Sequence, residues 1–95
     1  MVDAHISQIQ SVNPRINALI SARFDEARQE AVCIREMARN KVSDLPLLGV
    51  PITVKDALAV ANMRFTAGST FYRDNIARTD AEAVRRLRAA GAIVL

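Results

Sequence analysis

One lysine stands out by where it falls. Lys55 closes the run Gly49-Val50-Pro51-Ile52-Thr53-Val54-Lys55-Asp56, an apolar stretch that ends in a cation followed at once by a carboxylate. Taking an amine out of water favours its neutral form and lowers its pKa, and a neutral lysine is a general base. On spacing alone the more ordinary reading is that Lys55 faces solvent or pairs with Asp56. Asp56 also has two readings, orienting Lys55 or closing a turn through its side chain, and turns are the commoner use of aspartate. Ser69, at the end of Thr66-Ala67-Gly68-Ser69, either fills a turn or supports a site around Lys55.

The other reactive side chains lack partners at a useful spacing. His5 has no second ligand for a metal and no triad companion, so it reads as a surface histidine. Cys33 is the single cysteine of the chain, which rules out an intramolecular disulfide or a cysteine metal cluster and fits a reducing compartment. It falls on the inward side of an expected helix as a small core residue. Ser7, Ser11, Ser21 and Ser43 have no glycine-rich setting and read as caps, turns or surface.

The elements that must position Lys55 follow from patterning. Asp3 can cap a helix from Ala4 to about Ser11, with Ile6 and Ile9 on one face. Asn13-Pro14 then stops that helix and starts the next, with asparagine as N-cap and proline as its first residue. Ile20, Phe24, Ala27, Ala31, Ile34 and Ala38 continue a helical stripe to about Asn40, although Ile16-Asn17-Ala18-Leu19-Ile20-Ser21 could equally be a strand. A loop from Asn40 to Pro46 precedes the strand Ile52 to Lys55, whose residues alternate between two faces. Residues 57–69 read as irregular. Thr79-Asp80-Ala81-Glu82 forms a capping box opening a helix to Ala90, with Val84 and Leu87 inward and Gly91 ending it. Ala92-Ile93-Val94-Leu95 is a buried strand. Helix followed by buried strand is the rhythm of an α/β fold with a parallel sheet.

Composition bounds the function. Ninety-five residues support one thin core, and 51% hydrophobic against 24% charged residues is a globular balance. The net charge of +3 comes from scattered arginines, and Phe24, Phe65, Phe71 and Tyr72 are the only aromatics. No basic stripe or stacking platform for nucleic acid emerges. Nothing approaches the ~20 apolar residues of a membrane span, and no apolar leader follows a basic start, so the expected location is the cytoplasm.

Whole phrases carry more than single residues. Gly49 to Asp56, then Thr66 to Ser69, then Asp80 to Leu95 resemble the opening third of the amidase-signature hydrolases, and Asn13 to Ile20 is similar to their early segment. The four blocks occur in order over about residues 13–95. The resemblance implies an α/β fold in which helices precede a mixed, largely parallel sheet, with residues 1–40 mainly helical and 41–95 opening the α/β core of one incomplete domain. It implies that Lys55 is the base of a Ser-cis-Ser-Lys triad that hydrolyses amide bonds without metal or cofactor. The two serines of such enzymes lie in a glycine- and serine-rich stretch beyond the strand at Ala92, and no such stretch occurs here. Met63-Arg64-Phe65 departs from the family's shorter, proline-containing phrase.

The expectation is therefore a lysine-bearing opening fragment, inactive alone, whose completed form would act on a small-molecule amide. An alternative is a non-catalytic module or split half that binds a partner chain supplying the serines. A third is a poorly folded product of a degenerate reading frame. The apolar strand at Leu95 also invites self-association through an unpaired edge.

Overall fold

Val2, Ile6 and Ile9 recur at the spacing that gathers side chains on one helix face. Helix α1 (Val2–Ile16) buries that face in the computed structural model, which describes residues 1–40 and 44–95. The helix does not stop at Asn13-Pro14 as expected. Pro14 sits in its last turn, and the N–H it lacks leaves a single carbonyl without a helical partner, that of the exposed Gln10, where water can satisfy it. The chain leaves instead at Asn17, a left-handed residue with φ 46° whose N–H donates to Asn13 O at 2.7 Å. Asn13 serves this exit rather than capping a second helix. Its amide donates to Leu19 O and its Oδ1 accepts Leu19 N–H, both at 2.8 Å. Residues 17–23 are thus neither strand nor helix, and Ile20 is exposed.

Helix α2 (Phe24–Arg39) packs Phe24, Ala27, Ala31 and Ile34 against Val2, Ile6, Ile93 and Leu95. Cys33 is exposed, contrary to expectation. It lies six residues past Ala27, about 240° around the helix, on the far side from the stripe. Ser43 and part of the loop expected at Asn40–Pro46 fall outside the described residues.

Strand β1 (Pro51–Ile52) pairs in parallel with β2 (Ile93–Val94), Pro51 opposite Ile93 and Ile52 opposite Val94. The seam extends past both strands. Leu47 N–H reaches Ala90 O at 2.9 Å, Gly49 N–H reaches Gly91 O at 2.9 Å, Ile93 N–H reaches Val50 O at 2.9 Å and Leu95 N–H reaches Ile52 O at 3.0 Å. Because side chains alternate along a strand, Ile93 and Leu95 enter the α1/α2 core while Val94 enters a second core with Val60 and Val84. The expected strand through Lys55 is cut short: Thr53, Val54 and Lys55 lie outside β1, since the last ladder bond falls on Ile52.

Helix α3 (Glu82–Ala89) starts later than its capping box implied. Ala81 N–H donates to Ala59 O at 2.8 Å and Asp80 Oδ1 accepts Ala61 N–H at 2.8 Å, which holds the entry extended and takes Thr79 out of the capping position. Glu82 turns instead onto Arg85 and Arg86, whose hydrogen bonds push its carboxyl down to about 2. Val84 is buried as expected, whereas Leu87 is partly exposed. Arg88 ties α3 to α2 by sharing Glu30 with Arg23, at 2.9 and 2.8 Å.

Gly91 closes α3 at φ +98°, and a Cβ there would stand 2.8 Å from Leu48 Cα. Both the left-handed backbone and the close approach demand glycine. Gly91→Ala is expected to destabilise the chain by about 1–3 kcal/mol, the usual cost of a forced backbone conformation. Urea unfolding followed by circular dichroism checks this, an unchanged midpoint being the contrary result.

Candidate functional site

Lys55 emerges from a fixed piece of backbone. Upstream, Val54 packs against the Val60, Val84 and Val94 core. Downstream, Lys55 O accepts Leu58 N–H at 2.9 Å, closing a turn over Asp56 and Ala57. The amine itself is uncommitted: among the described residues no hydrogen bond or ion pair engages it, and Asp56 does not pair with it. Lys55 is exposed, in keeping with its ordinary reading, at the mouth of a cavity of about 250 Å³ whose walls include Leu19, Ile20, Val54, Val60, Met63 and Val94. Such walls are mostly apolar, the usual surroundings of a binding site for a small organic group.

Asp56 closes a turn rather than orienting the lysine directly. Its Oδ1 accepts Thr66 N–H at 2.8 Å, its Oδ2 accepts the Thr66 hydroxyl, and its backbone O accepts Ala67 N–H at 2.9 Å. Thr66 is 8% exposed and also receives Gly68 N–H on its hydroxyl oxygen at 3.2 Å. Thr66 to Ser69 is a tight turn of the primed kind, with positive φ at Ala67 (50°) and Gly68 (74°) and Ser69 N–H on Thr66 O at 2.9 Å. Ser69 then uses its hydroxyl oxygen to accept Phe71 N–H at 3.3 Å, opening the short 3₁₀ helix Thr70–Tyr72. It does not line the cavity with Lys55.

Ser21 does line that cavity, a placement its sequence setting did not suggest. Thr66 was missed altogether as a partner of Asp56. The two are ten residues apart in an irregular segment, and only the alanine-glycine pair after Thr66 hints at the turn that brings them together. The departure at Met63-Arg64-Phe65 forms a small collar: Arg64 bridges Ile76 antiparallel, Phe65 N–H reaches Asn75 O at 2.9 Å and Ala77 N–H reaches Met63 O at 2.9 Å. His5 lies on the surface, its Nδ1 on Met1 O at 3.0 Å. Among the described residues no group of three or more histidine, cysteine, aspartate or glutamate side chains is placed to hold a metal, and no helix is long and apolar enough to cross a membrane.

A parallel strand pair with helices on both sides carries the phrase Gly49 to Asp56, on which the resemblance to the amidase-signature hydrolases rests. The chain belongs to that family: the family model described as Amidase matches residues 1–95. It is 41% identical over 102 residues to fatty-acid amide hydrolase 2 of Homo sapiens, covering 100% of this chain and 19% of that protein. To a glutamyl-tRNA(Gln) amidotransferase subunit of Nitratidesulfovibrio vulgaris it is 44% identical over 90 residues, covering 95% of this chain and 18% of that one. The native peptide amidase of Stenotrophomonas maltophilia superposes with a TM-score of 0.88 at 34% identity, over 99% of this chain and 20% of its own. A structure described as a vestigial protein complex that reveals the origins of an s-triazine catabolic enzyme superposes at 0.92 with 33% identity, over 99% and 21%. The chain spans about a fifth of the length of these relatives.

The clasp on Asp56 has an electrostatic signature. The Thr66 hydroxyl, then the Thr66 N–H, hold its carboxyl below the ordinary carboxylate range against the opposing effect of burial. A depressed folded value stabilises the fold above the unfolded pKa, about 3.9 for aspartate, and that contribution is lost as pH falls through the folded value. Carboxyl ¹³C titration is expected to place Asp56 below the ordinary aspartate value, and Thr66→Val to move it upward. An Asp56 midpoint in the ordinary range would contradict the clasp.

Proposed function

We propose that this chain is the lysine-bearing portion of an amide hydrolase working by a Ser-cis-Ser-Lys mechanism. The observation that carries the reading is Lys55 itself, held by its backbone on the rim of an apolar cavity with an amine that no neighbouring carboxylate engages. In this reading neutral Lys55 takes a proton from a bridging serine, which takes one from the nucleophilic serine as that oxygen attacks the amide carbonyl. Backbone N–H groups near the serines hold the oxyanion. The tetrahedral intermediate collapses as the amine leaves with the proton returned through the bridging serine, and water then frees the acyl group. Side chains and backbone supply the whole sequence, so no metal or cofactor enters it.

Both serines belong to sequence outside these 95 residues, and the chain alone is expected to be inactive. The substrate is a small-molecule amide, and the compartment assigned is the cytoplasm. Asp56 supports the site through the turn it closes, and Ser69 through the next bend of the same turn.

A second reading is favoured by the exposed apolar residues. Ile16, Ile20, Leu58 and Ile76 are each about half exposed or more, and Phe71 is 85% exposed. Surfaces of this kind suit a chain that docks onto a partner supplying the serines; the expected edge at β2 offers no such surface, since Ile93 and Val94 are 0% and 1% exposed. One relative is by name part of a multi-chain amidotransferase, and another comes from a protein complex.

A fusion that places these 95 residues, unaltered, in place of the opening fifth of the Stenotrophomonas peptide amidase tests the catalytic assignment. The fusion is expected to hydrolyse a peptide amide, and Lys55→Met to lower kcat by about 10²–10⁴-fold, the range for loss of a general base. Equal turnover with and without Lys55 would remove the lysine from the mechanism. Turnover by the 95 residues alone, abolished by Lys55→Ala, would show that the serines are not needed.

A further inference from the structure

A general base must be within hydrogen-bond reach of the proton it takes, about 2.6–3.2 Å between heavy atoms. A flexible lysine meets that need only if its Cα is fixed, because its four-carbon stem already offers many wrong positions. Around Lys55 the fixing is visible on both sides. Val54, half-buried, packs against the core, and Lys55 O is engaged by Leu58 N–H. The residue immediately after the lysine makes three hydrogen bonds to Thr66 and Ala67, two through its carboxylate and one through its carbonyl.

Thr66 lies at the centre of this arrangement. Among the described residues it is the one buried polar side chain, at 8% exposure, and its N–H and hydroxyl both donate to Asp56. Its hydroxyl oxygen in turn accepts Gly68 N–H, so the turn that presents Thr66 is itself stabilised by the residue it presents. A buried hydroxyl is tolerated only where its hydrogen bonds are made. Burial of Thr66 is thereby linked to the position of Asp56, and the position of Asp56 to the backbone of Lys55.

We propose that Thr66, acting through Asp56, is a positioning residue for Lys55: the clasp between them sets where the lysine leaves the backbone and so where its amine reaches. This rests on Lys55 being the base. Thr66→Val keeps the side-chain volume but removes the hydroxyl, leaving Asp56 Oδ2 without its donor. Thr66→Ser keeps the hydroxyl.

Two measurements decide the matter. In the 95-residue chain, Thr66→Val is expected to speed exchange of the Leu58 amide about tenfold, the effect of one lost hydrogen bond. The His5 amide in α1 should be unaffected, and Thr66→Ser should restore the original rate. In the peptide-amidase fusion, Thr66→Val is expected to lower kcat about 10–100-fold with KM unchanged, since misplacement by about 1 Å can cost that much. Thr66→Ser should recover it. Asp56→Asn is the second variant, expected to act in the same direction on both readouts should Thr66→Val fail to fold. Leu58 exchange unchanged, or kcat equal in wild type and Thr66→Val, overturns the positioning role. A wild-type fusion without turnover instead removes the assignment of Lys55 as base, and the exchange measurement then decides alone whether the clasp holds the lysine's backbone.

Discussion

The register of the seam between β1 and β2 is the constraint on which the rest depends. Backbone hydrogen bonds join residues 47–52 to residues 90–95, and the side chains along the second segment divide between two cores. Ile93 and Leu95 complete the core under α1 and α2, and Val94 completes the one under α3. A slip of one residue would send Val94 into the first core and Ile93 into the second, so neither layer would close. Fully burying each such aliphatic side chain contributes about 1.5–3 kcal/mol, enough to select one register sharply. Gly91 permits that register by letting Leu48 come close, and Val54, the residue just before the candidate base, is packed by the same core.

Around this seam the charges act as ties between layers. Glu30 on α2 accepts both Arg23, from the segment before α2, and Arg88, from α3, while Arg88 also reaches Asp80 at 3.4 Å. These side chains are between 14% and 30% exposed, so the group is screened less than the pairs on the outer face of α3. Asp80 uses its other oxygen on Ala61 N–H. The same aspartate thus links α3 to the irregular segment that leads from Lys55 to the Thr66 turn.

Long-period patterns were legible in the sequence, and local ends were not. The stripes of α1 and α2, the buried Ala92 to Leu95 strand, the left-handed Gly91 and the parallel pairing all follow from hydrophobic spacing and turn chemistry. Asn13-Pro14 and Thr79-Glu82 carried strong local signals for helix starts that the fold overrode. In the first case Asn13 found Leu19, and in the second Ala81 and Asp80 were taken by Ala59 and Ala61. Leu19 is a local partner that the left-handed turn at Asn17 brings back, whereas Ala59 and Ala61 are backbone groups that only the assembled chain brings near. The candidate site was legible in part: the phrase Gly49 to Asp56 singled out Lys55 as a candidate, whereas the pairing of Thr66 with Asp56 has no periodicity to betray it.

The collar at Met63–Phe65 and Asn75–Ala77 separates what lies beneath it from what lies above. Its backbone bonds close a neck at the base of residues 66–74, within which the Thr66 turn leans back onto Asp56 while Thr70 to Asp74 project, Phe71 being 85% exposed. Residues at such a tip can lengthen, shorten or change chemistry while the neck keeps the lysine's surroundings as they are. The fold thereby sorts its substitutions into two classes, those in a fixed anchorage and those in a permissive crest, and the crest can be reshaped without disturbing the anchorage.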